Sequence, residues 1–186
     1  MAPRRGTQCA ALFDDGKGPA WYRAQVIGST PLGTRVRYVD HGNCATVKAS
    51  QLRPLDSSYF AFPPQARECV LAFTRVPSLE EEFGRDAAMS LNDLGWGKKL
   101  LGRALGKDAD GRLMMALYES NDSNSINETL VAQGVARLEK TSKIFTTCQP
   151  AKEMVDKLRE SQEIAHKSRT ALWRYGDCCS DDEDDF

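Results

Sequence analysis

Short apolar-rich segments separated by turn residues fill the first fifty positions of the chain, and residues 35–38 alternate polar with apolar as in a β-strand that buries one face. Clusters of glycine, proline and aspartate separate these segments at residues 14–19 and again at residues 40–43. The pattern predicts four strands, at residues 7–13, 21–27, 34–39 and 44–48. Four short strands joined by tight turns are typical of a small antiparallel barrel, which we expect over residues 1–54.

The spacing of the apolar residues changes beyond residue 65, where helical periods begin. Ser125 and Glu128 stand three residues apart before an apolar run, which predicts a capping box that opens a helix ending near Gly134. The other predicted elements are a strand over residues 66–73, a helix from Ser78 to Leu94, strands over 99–105 and 112–118, and a long helix over 151–172. We therefore predict a mixed β and α chain whose second unit covers residues 55–176.

Charge is distributed unevenly along the chain, although the formal net charge is only −1. Residues 1–55 carry eight Lys and Arg against three Asp, residues 56–176 carry seventeen charges of each sign, and residues 177–186 carry six carboxylates and no base. This distribution excludes a uniformly basic nucleic-acid coat protein but leaves room for a local basic patch in the first unit. The acidic segment 177–186 is expected to be a disordered tail.

The spacing of cysteine and histidine argues against a metal site. The six cysteines include no C-x-x-C pair and His41 lies far from His166, whereas a zinc site needs four ligands at close spacing. We expect no metal, no cofactor and free thiols that are mostly buried. Because the apolar runs are shorter than a membrane span and the first residues do not resemble a signal peptide, we expect a cytoplasmic or nuclear protein without a membrane partner.

Two short blocks in the first fifty residues combine aromatic residues with a polar turn. They read W-Y-R-A-Q-V at residues 21–26 and Y-V-D-H-G-N at residues 38–43. Aromatic residues in strands usually belong to a core, and the residue types alone leave that role open. The blocks resemble the Tudor domain, whose pattern is W-Y-R-A-x-V followed by Y-x-D-Y-G-N. The resemblance implies a cage for methylated arginine at the matching positions, which here are Phe13, Tyr22, Tyr38, His41 and Asn43.

The physical chemistry of the implied ligand suits such a cage. A methylated guanidinium keeps its charge but loses N–H donors, and aromatic faces attract it by cation–π interactions of about 0.5–2 kcal/mol each. Asn43 can orient the guanidinium through a remaining N–H. Trp21 is expected in the core, and Asp40 is expected to brace the turn rather than to contact the ligand.

His41 departs from the family pattern, which has Tyr or Phe at this position. A neutral imidazole still offers a flat face, whereas a protonated imidazole repels a cation. We therefore expect the affinity for methylarginine to fall when the pH drops below about 6.5, where imidazole ordinarily titrates.

Arg35 and Arg37 alternate with Val36 and Tyr38, so we expect the two arginines to face away from the cage. The face that they occupy is a candidate contact surface for an acidic partner or for a nucleic-acid backbone. Solvated arginines with no partner are the alternative that the sequence leaves open.

Three segments of the second unit resemble the staphylococcal-nuclease fold, an OB barrel with helices. One is S-I-N-E-T-L-V-A-Q-G-V-A at residues 125–136, and the others are G-R-L at 111–113 and a terminal helix followed by L-W at 172–173. A Tudor unit followed by such a unit resembles the C-terminal extended Tudor region of the Tudor staphylococcal nuclease family over residues 7–177. That family draws the first strands of the nuclease-like unit from residues before the Tudor segment, so we expect a fragment with a partial OB barrel.

The resemblance does not extend to the chemistry of the nuclease. Its strand carries Asp-Thr-Pro-Glu, whereas this chain has F-T-R-V-P at residues 73–77, without a carboxylate. Arg112 stands where a catalytic arginine would, but calcium-dependent hydrolysis also needs carboxylates for the metal and for the general base. We expect Arg112 to form a salt bridge or face solvent, and we predict that the chain is not an enzyme.

The sequence therefore favours a binding module that reads dimethylated arginine in Arg/Gly-rich segments of RNA-associated proteins, with Sm-type or Piwi-type tails as the partners implied by the resemblance. The alternative is binding of RNA or another nucleic acid through the basic face and the OB-like barrel. A metal-dependent nuclease ranks third, because the carboxylates are missing. Preference for methylated peptides favours the first function, and a steep salt dependence with oligonucleotides favours the second.

Overall fold

The computed structural model describes residues 4–14, 16, 18–120, 122–140 and 148–175, and it divides the chain into two compact units, residues 1–68 and 69–186. The mixed β and α fold class predicted from the sequence is confirmed. The sequence placed the domain boundary after Pro54, and the structure groups residues 55–68 with the first unit. The acidic tail expected at residues 177–186 lies outside the described residues.

The first unit is a five-stranded antiparallel sheet with the strand order β4-β3-β2-β1-β5. Its strands are β1 (Gln8–Asp14), β2 (Pro19–Thr30), β3 (Gly33–Tyr38), β4 (Cys44–Val47) and β5 (Leu52–Pro54). Within the described ranges the edge strands β4 and β5 do not pair, so the expected barrel is observed as an open sheet. A 3-10 helix over Ser57–Ala61 follows β5 and is capped by the side chain of Asp56.

Side chains alternate across this sheet with a period of two. One face, which we call the inner face, is apolar and forms the core of the unit; its buried residues are Cys9, Ala11, Ala24, Val26, Val36, Tyr38 and Val47. The opposite face, which we call the outer face, carries Arg35 and Arg37 of β3, and both are exposed. The prediction that these arginines point away from Tyr38 is confirmed.

In the part of the second unit that the structure describes, three α-helices and several short strands pack around a separate apolar core. Its elements are β6 (Cys69–Leu71), β7 (Thr74–Arg75), α1 (Gly84–Gly95), β8 (Leu100–Lys107), β9 (Leu113–Glu119), α2 (Ile126–Ala132), β10 (Arg137–Leu138) and α3 (Gln149–Ser168). β9 lies between β6 and β8, parallel to the first and antiparallel to the second, and β7 pairs with β10. Leu130 of α2 and Leu158 of α3 are completely buried in this core.

The helix α2 begins and ends where the sequence predicts. The Ser125 hydroxyl accepts the N–H of Glu128, and the Glu128 carboxylate accepts the N–H of Ser125 at 2.7 Å, which completes the capping box. Gly134 follows the helix with φ at 74°, and a Cβ there would lie 2.5 Å from the carbonyl oxygen of Thr170. Glycine is therefore required both by the left-handed backbone and by the close approach of the chain.

Two helix ends differ from the prediction. α1 begins at Gly84 rather than at Ser78, because residues 78–83 fold back so closely that a Cβ on Gly84 would lie 1.7 Å from the Ser78 carbonyl oxygen. α3 ends at Ser168 rather than at Leu172, since Arg169 takes the left-handed conformation that closes the helix. In the part of the chain that is described, no helix has both the length and the apolar character needed to cross a bilayer.

The exposure of the cysteines differs from the prediction that most of them are buried. Cys9 is buried, and its burial raises the pKa of its thiol. Cys44, Cys69 and Cys148 are free but exposed, so the prediction of mostly buried thiols is wrong for the described part of the chain. Apolar neighbours in sequence did not indicate burial here, because Cys44 and Cys69 occupy exposed positions in β4 and β6.

Candidate functional site

Four aromatic rings gather at one end of the inner face. Phe13 is near the end of β1, Tyr22 lies in β2, Tyr38 ends β3, and His41 lies in the turn that follows. The centroid of the Tyr22 ring is 6.4 Å from that of Phe13, 6.2 Å from that of Tyr38 and 5.2 Å from that of His41. Phe13 and Tyr38 are 5.1 Å apart. Tyr22 therefore contacts all three other rings and forms the centre of the cluster.

The register of the sheet explains how three rings fit side by side. Each faces an alanine on the neighbouring strand: Phe13 faces Ala20, Tyr22 faces Ala11, and Tyr38 faces Ala24. An alanine side chain ends at Cβ and leaves room into which a ring can tilt. Diagonal positions on adjacent strands are about 7–8 Å apart, within reach of aromatic side chains, so Tyr22 contacts Phe13 on one side and Tyr38 on the other diagonally. Phe13 and Tyr38 lie on β1 and β3, and their rings meet across β2.

The four rings differ in their exposure. Tyr38 is only 1% exposed, and its hydroxyl donates a hydrogen bond to the carbonyl oxygen of Leu12 at 2.9 Å. Burial raises the pKa of the Tyr38 phenol, which keeps the hydroxyl protonated as a donor. Phe13 and Tyr22 are half-buried, and His41 is exposed. Tyr38 thus forms the floor of the cluster, while Phe13, Tyr22 and His41 form the walls that a ligand would contact.

The turn after β3 sets the position of His41 and Asn43. The N–H groups of His41 and Gly42 both donate to the carbonyl oxygen of Tyr38, and the Tyr38 N–H donates to the Asn43 carbonyl at 2.9 Å. Gly42 has φ at 84°, which a residue with a side chain adopts only at a cost. Asn43 is exposed. The turn therefore places His41 in contact with the Tyr22 ring and joins Asn43 to Tyr38 through the backbone.

An arginine–aspartate clamp holds this turn from the outer face. The Arg23 guanidinium donates from Nε and Nη2 to the two carboxylate oxygens of Asp40, and its remaining donors bind the carbonyl oxygens of Tyr59, Phe62 and Pro63. Asp40 also accepts the N–H of Gln65. Asp40 therefore braces the turn, as the sequence predicted. The role of Arg23 was missed, although a charged residue in the middle of a strand signals the need for a partner.

The clamp predicts a specific response to acid. The hydrogen bonds that Arg23 donates hold the pKa of Asp40 below the ordinary value. The ionised Asp40 carboxylate therefore stabilises the fold above about pH 3.9. This stabilisation is lost as the pH falls through the lowered pKa. We expect Asp40→Asn to lower the melting temperature at pH 7 and to flatten the decline in melting temperature between about pH 4 and pH 2.5. Thermal unfolding monitored by circular dichroism measures both effects.

Asp93→Asn is the matched control for that experiment, because Asp93 is exposed in the second unit. We expect this variant to keep the wild-type melting temperature and its dependence on pH. An Asp40→Asn protein that declines with acid as steeply as the wild type would contradict a role for the Arg23–Asp40 pair.

Trp21 lies on the outer face, so the prediction that it belongs to the core is wrong. This residue is 37% exposed rather than part of the core, and the guanidinium carbon of Arg53 lies 4.1 Å from the centroid of its ring. The reason is the strand period, because Tyr22 points to the inner face and its neighbour must point outward. Arg37 on the same face lies 3.6 Å from the Glu68 carboxylate.

The second unit contains a groove of about 880 Å³ where the resemblance places the nuclease site. Arg112 lines this groove and is bound by the carboxylates of Asp108 at 2.7 Å and Asp110 at 3.0 Å, which confirms the predicted salt-bridge role. Phe73 and Thr74 line it from the other side. Among the described residues, no three His, Cys, Asp or Glu side chains are grouped to hold a metal ion.

Comparison with known families gives two matches that overlap over residues 66–72, the region in which the structure divides the chain. Residues 1–72 match the Tudor domain family, and residues 66–175 match the family described as staphylococcal nuclease homologue. Ribonuclease TUDOR 1 of Arabidopsis thaliana is 34% identical over an alignment of 201 residues. The alignment covers 98% of this chain and 20% of that protein. The chain therefore spans about a fifth of the length of this curated relative.

Solved structures with the same fold include several extended Tudor domains. That of Drosophila melanogaster Tudor-SN (p100) has a TM-score of 0.79 and 25% identity, covering 93% of this chain and 77% of its own. The human TDRD1 domain in complex with a symmetrically dimethylated peptide has a TM-score of 0.64, 27% identity and coverages of 75% and 68%. The BmPAPI domain in complex with sDMA has a TM-score of 0.61, 26% identity and coverages of 72% and 71%.

Proposed function

Because the chain belongs to the staphylococcal nuclease homologue family and carries a Tudor domain, in the order found in extended Tudor domains, we propose that it is a binding module for dimethylated arginine. The observation that carries the proposal is the cluster of four rings centred on Tyr22. A cation that keeps its charge but loses hydration gains most from several aromatic faces at once. The two related domains whose structures contain a symmetrically dimethylated peptide or sDMA support the same ligand here.

We assign a separate role to each cage residue. Phe13 and Tyr22 provide the faces on either side of the guanidinium, His41 closes the exposed side, and Tyr38 provides the floor. Asn43 orients the guanidinium by accepting a hydrogen bond from a remaining N–H. The natural ligands in this proposal are Arg/Gly-rich segments of RNA-associated proteins, of which Sm-type and Piwi-type tails are the two classes implied by the family resemblance.

The proposal is tested by calorimetric titration of the chain with three peptides of identical sequence. One carries unmodified arginine, one asymmetric dimethylarginine and one symmetric dimethylarginine. We expect at least one dimethylated peptide to bind several-fold more tightly than the unmodified peptide, because methylation removes the hydration that the cage cannot replace. Equal affinity for all three peptides would refute a methylarginine function.

The exposed histidine predicts that this binding depends on pH. A protonated His41 would place a positive charge against a cationic ligand, so we expect affinity for the dimethylated peptide to decrease as the pH is lowered from 8 to 5.5. His41→Tyr supplies the control, since its ring stays neutral over that range and should give a constant affinity. A wild-type affinity that does not change between these pH values would contradict this prediction.

We also propose that the second unit does not hydrolyse nucleic acid. This is supported by the pairing of Arg112 with Asp108 and Asp110, which leaves its charge compensated, and by Phe73 where the nuclease strand has a carboxylate. Incubation of the chain with single-stranded and double-stranded RNA in the presence of Ca²⁺ tests this point, and we expect no cleavage. Cleavage that is lost in Arg112→Ala would show that the groove is an active site after all.

A further inference from the structure

The outer face of the first unit carries a positive charge that the methylarginine proposal does not use. Residues 1–68 contain nine Lys and Arg against five Asp and Glu. Arg35 and Arg37 are exposed there, two residues apart on β3. Because side chains two apart on a strand point the same way and are about 6.6 Å apart, these guanidinium groups form a short row along the sheet.

The carboxylates of this unit that the structure describes do little to neutralise that row. Asp14 accepts the backbone N–H groups of Gly16 and Gly18, Asp56 caps the 3-10 helix, and Asp40 is bound by Arg23. Glu68 is the carboxylate that reaches the row, at 3.6 Å from Arg37, and both side chains of that pair are about half exposed. An exposed pair of this kind contributes little, so Arg37 is available to a stronger anion.

Trp21 and Arg53 add a flat surface to the same face. The Arg53 guanidinium carbon is 4.1 Å from the centroid of the Trp21 ring, and Trp21 is still 37% exposed. The register places Arg53 opposite Ala10 of β1, and Ala10 opposite Arg23 of β2. A stacked indole and guanidinium present a planar cationic surface of the kind on which nucleic-acid bases stack.

We propose that the outer face, formed by Trp21, Arg35, Arg37 and Arg53, binds single-stranded nucleic acid. Arg35 and Arg37 contact successive phosphates, for which the planar guanidinium fork is suited, and a base stacks on the Trp21–Arg53 pair. Arg23 lies on this face but takes no part, because its donors already bind Asp40 and three carbonyl groups.

The strand period separates this surface from the ring cluster. Trp21 points outward where Tyr22 points inward, and Arg37 points outward where Tyr38 points inward. The two surfaces therefore lie on opposite faces of one sheet. A nucleic acid and a methylated peptide can therefore occupy the unit at the same time. In this way the protein can hold an RNA-associated partner protein next to the RNA that the partner binds.

Fluorescence anisotropy with labelled oligouridine and oligothymidine, measured across a series of salt concentrations, tests the proposal. We expect oligouridine and oligothymidine to bind with similar affinity, because the phosphate contacts and the base stacking recognise neither the 2′-hydroxyl nor the base sequence. Arg35→Ala/Arg37→Ala should weaken binding about 10-fold at low salt and should reduce the slope of log K against log salt by about 1.4, the value for two phosphates on a single strand. Trp21→Ala should weaken binding about 5-fold or more, with partial recovery in Trp21→Phe.

Two matched variants control for charge and for location. Arg85→Ala/Lys152→Ala removes the same charge from exposed positions of the second unit, and it should keep the wild-type affinity and slope. Tyr22→Ala alters the opposite face and should also bind oligouridine as the wild type does. Thermal unfolding of every variant confirms that the exposed substitutions leave the fold intact.

Several results would overturn the proposal. These are a salt slope that is unchanged in Arg35→Ala/Arg37→Ala, an equal loss in Arg85→Ala/Lys152→Ala, or a loss of oligouridine binding in a Tyr22→Ala protein that thermal unfolding shows to be folded. A polyglutamate peptide that binds as tightly as an oligonucleotide of equal charge would identify the surface as a site for acidic proteins instead. The test is independent of the methylarginine proposal, because it uses no peptide ligand from that experiment.

Discussion

Tyr22→Ala is expected to lower the affinity for a dimethylarginine peptide by about 5- to 30-fold and to remove the preference for the methylated over the unmodified form. Tyr22 is the ring that contacts Phe13, Tyr38 and His41, so its loss deletes one face of the cage and the support of two others. A cation–π contact contributes about 0.5–2 kcal/mol, and 1.4 kcal/mol corresponds to tenfold in affinity. Calorimetry with matched peptides measures the change.

Tyr38→Phe is the appropriate partner variant in that experiment. Tyr38→Ala would remove a ring that is 1% exposed, and large-to-small changes of buried aromatics cost about 3–5 kcal/mol, so lost binding could simply reflect lost folding. Tyr38→Phe keeps the ring and deletes only the hydroxyl that donates to Leu12. We expect it to retain methylarginine binding. Undiminished affinity in Tyr22→Ala would show that the ligand does not enter the ring cluster.

The largest effect on folding is expected from Asn127→Ala in the second unit. The Asn127 side chain is completely buried, accepts the N–H of Leu117 and donates to the carbonyl oxygens of Ala72 and Met115. It thereby fastens the start of α2 to β9 and to the turn that follows β6. Truncation removes the side-chain acceptor of the Leu117 N–H, and a buried orphan of this kind costs about 1–3 kcal/mol. The carbonyl oxygens of Ala72 and Met115 keep the Thr74 hydroxyl and the Ala72 N–H as donors, so each loses one of two hydrogen bonds, worth about 0.5–1.5 kcal/mol. We expect a loss of about 2–5 kcal/mol in the unfolding free energy, measured by urea denaturation.

Asn124→Ala serves as the comparison, because Asn124 is exposed three residues earlier in the chain. That variant should unfold at nearly the wild-type urea concentration. If the two variants were equally stable, the amide network around Asn127 would contribute nothing. Asn127 is also the asparagine of the N-E-x-L-V pattern. Its hydrogen bonds give this motif residue a structural role in holding α2 in place.

Local sequence predicted those elements whose ends depend on neighbouring residues. The α2 capping box involves Ser125 and Glu128 alone, so their spacing was sufficient. The start of α1 depends instead on how residues 78–83 return against Gly84, a tertiary contact that no helical period reveals. The left-handed Arg169 that ends α3 is likewise unexpected for a residue with a long side chain.

The residues around the candidate site also fall into those whose position the sequence predicted and those whose position it did not. The alternation of β3 was enough to predict that Arg35 and Arg37 would lie opposite Tyr38. The same rule, applied to Trp21 beside Tyr22, would have placed Trp21 outside the core, and that step was missed. Arg23 could not be assigned from the sequence, because three of its acceptors are backbone carbonyls in residues 59–63, and backbone groups are the same in every sequence.

The dual position of Tyr38 limits how this site can evolve. Its ring belongs to the core of the first unit and also forms the floor beneath the other rings, so a substitution that removes the ring is eliminated by misfolding before its effect on a ligand matters. His41 is exposed at the edge of the cluster and lies outside that core, whereas Phe13 is half-buried and packs against it. Divergence of ligand preference among descendants of this domain is therefore expected to proceed first through the exposed position 41, over an unchanging floor.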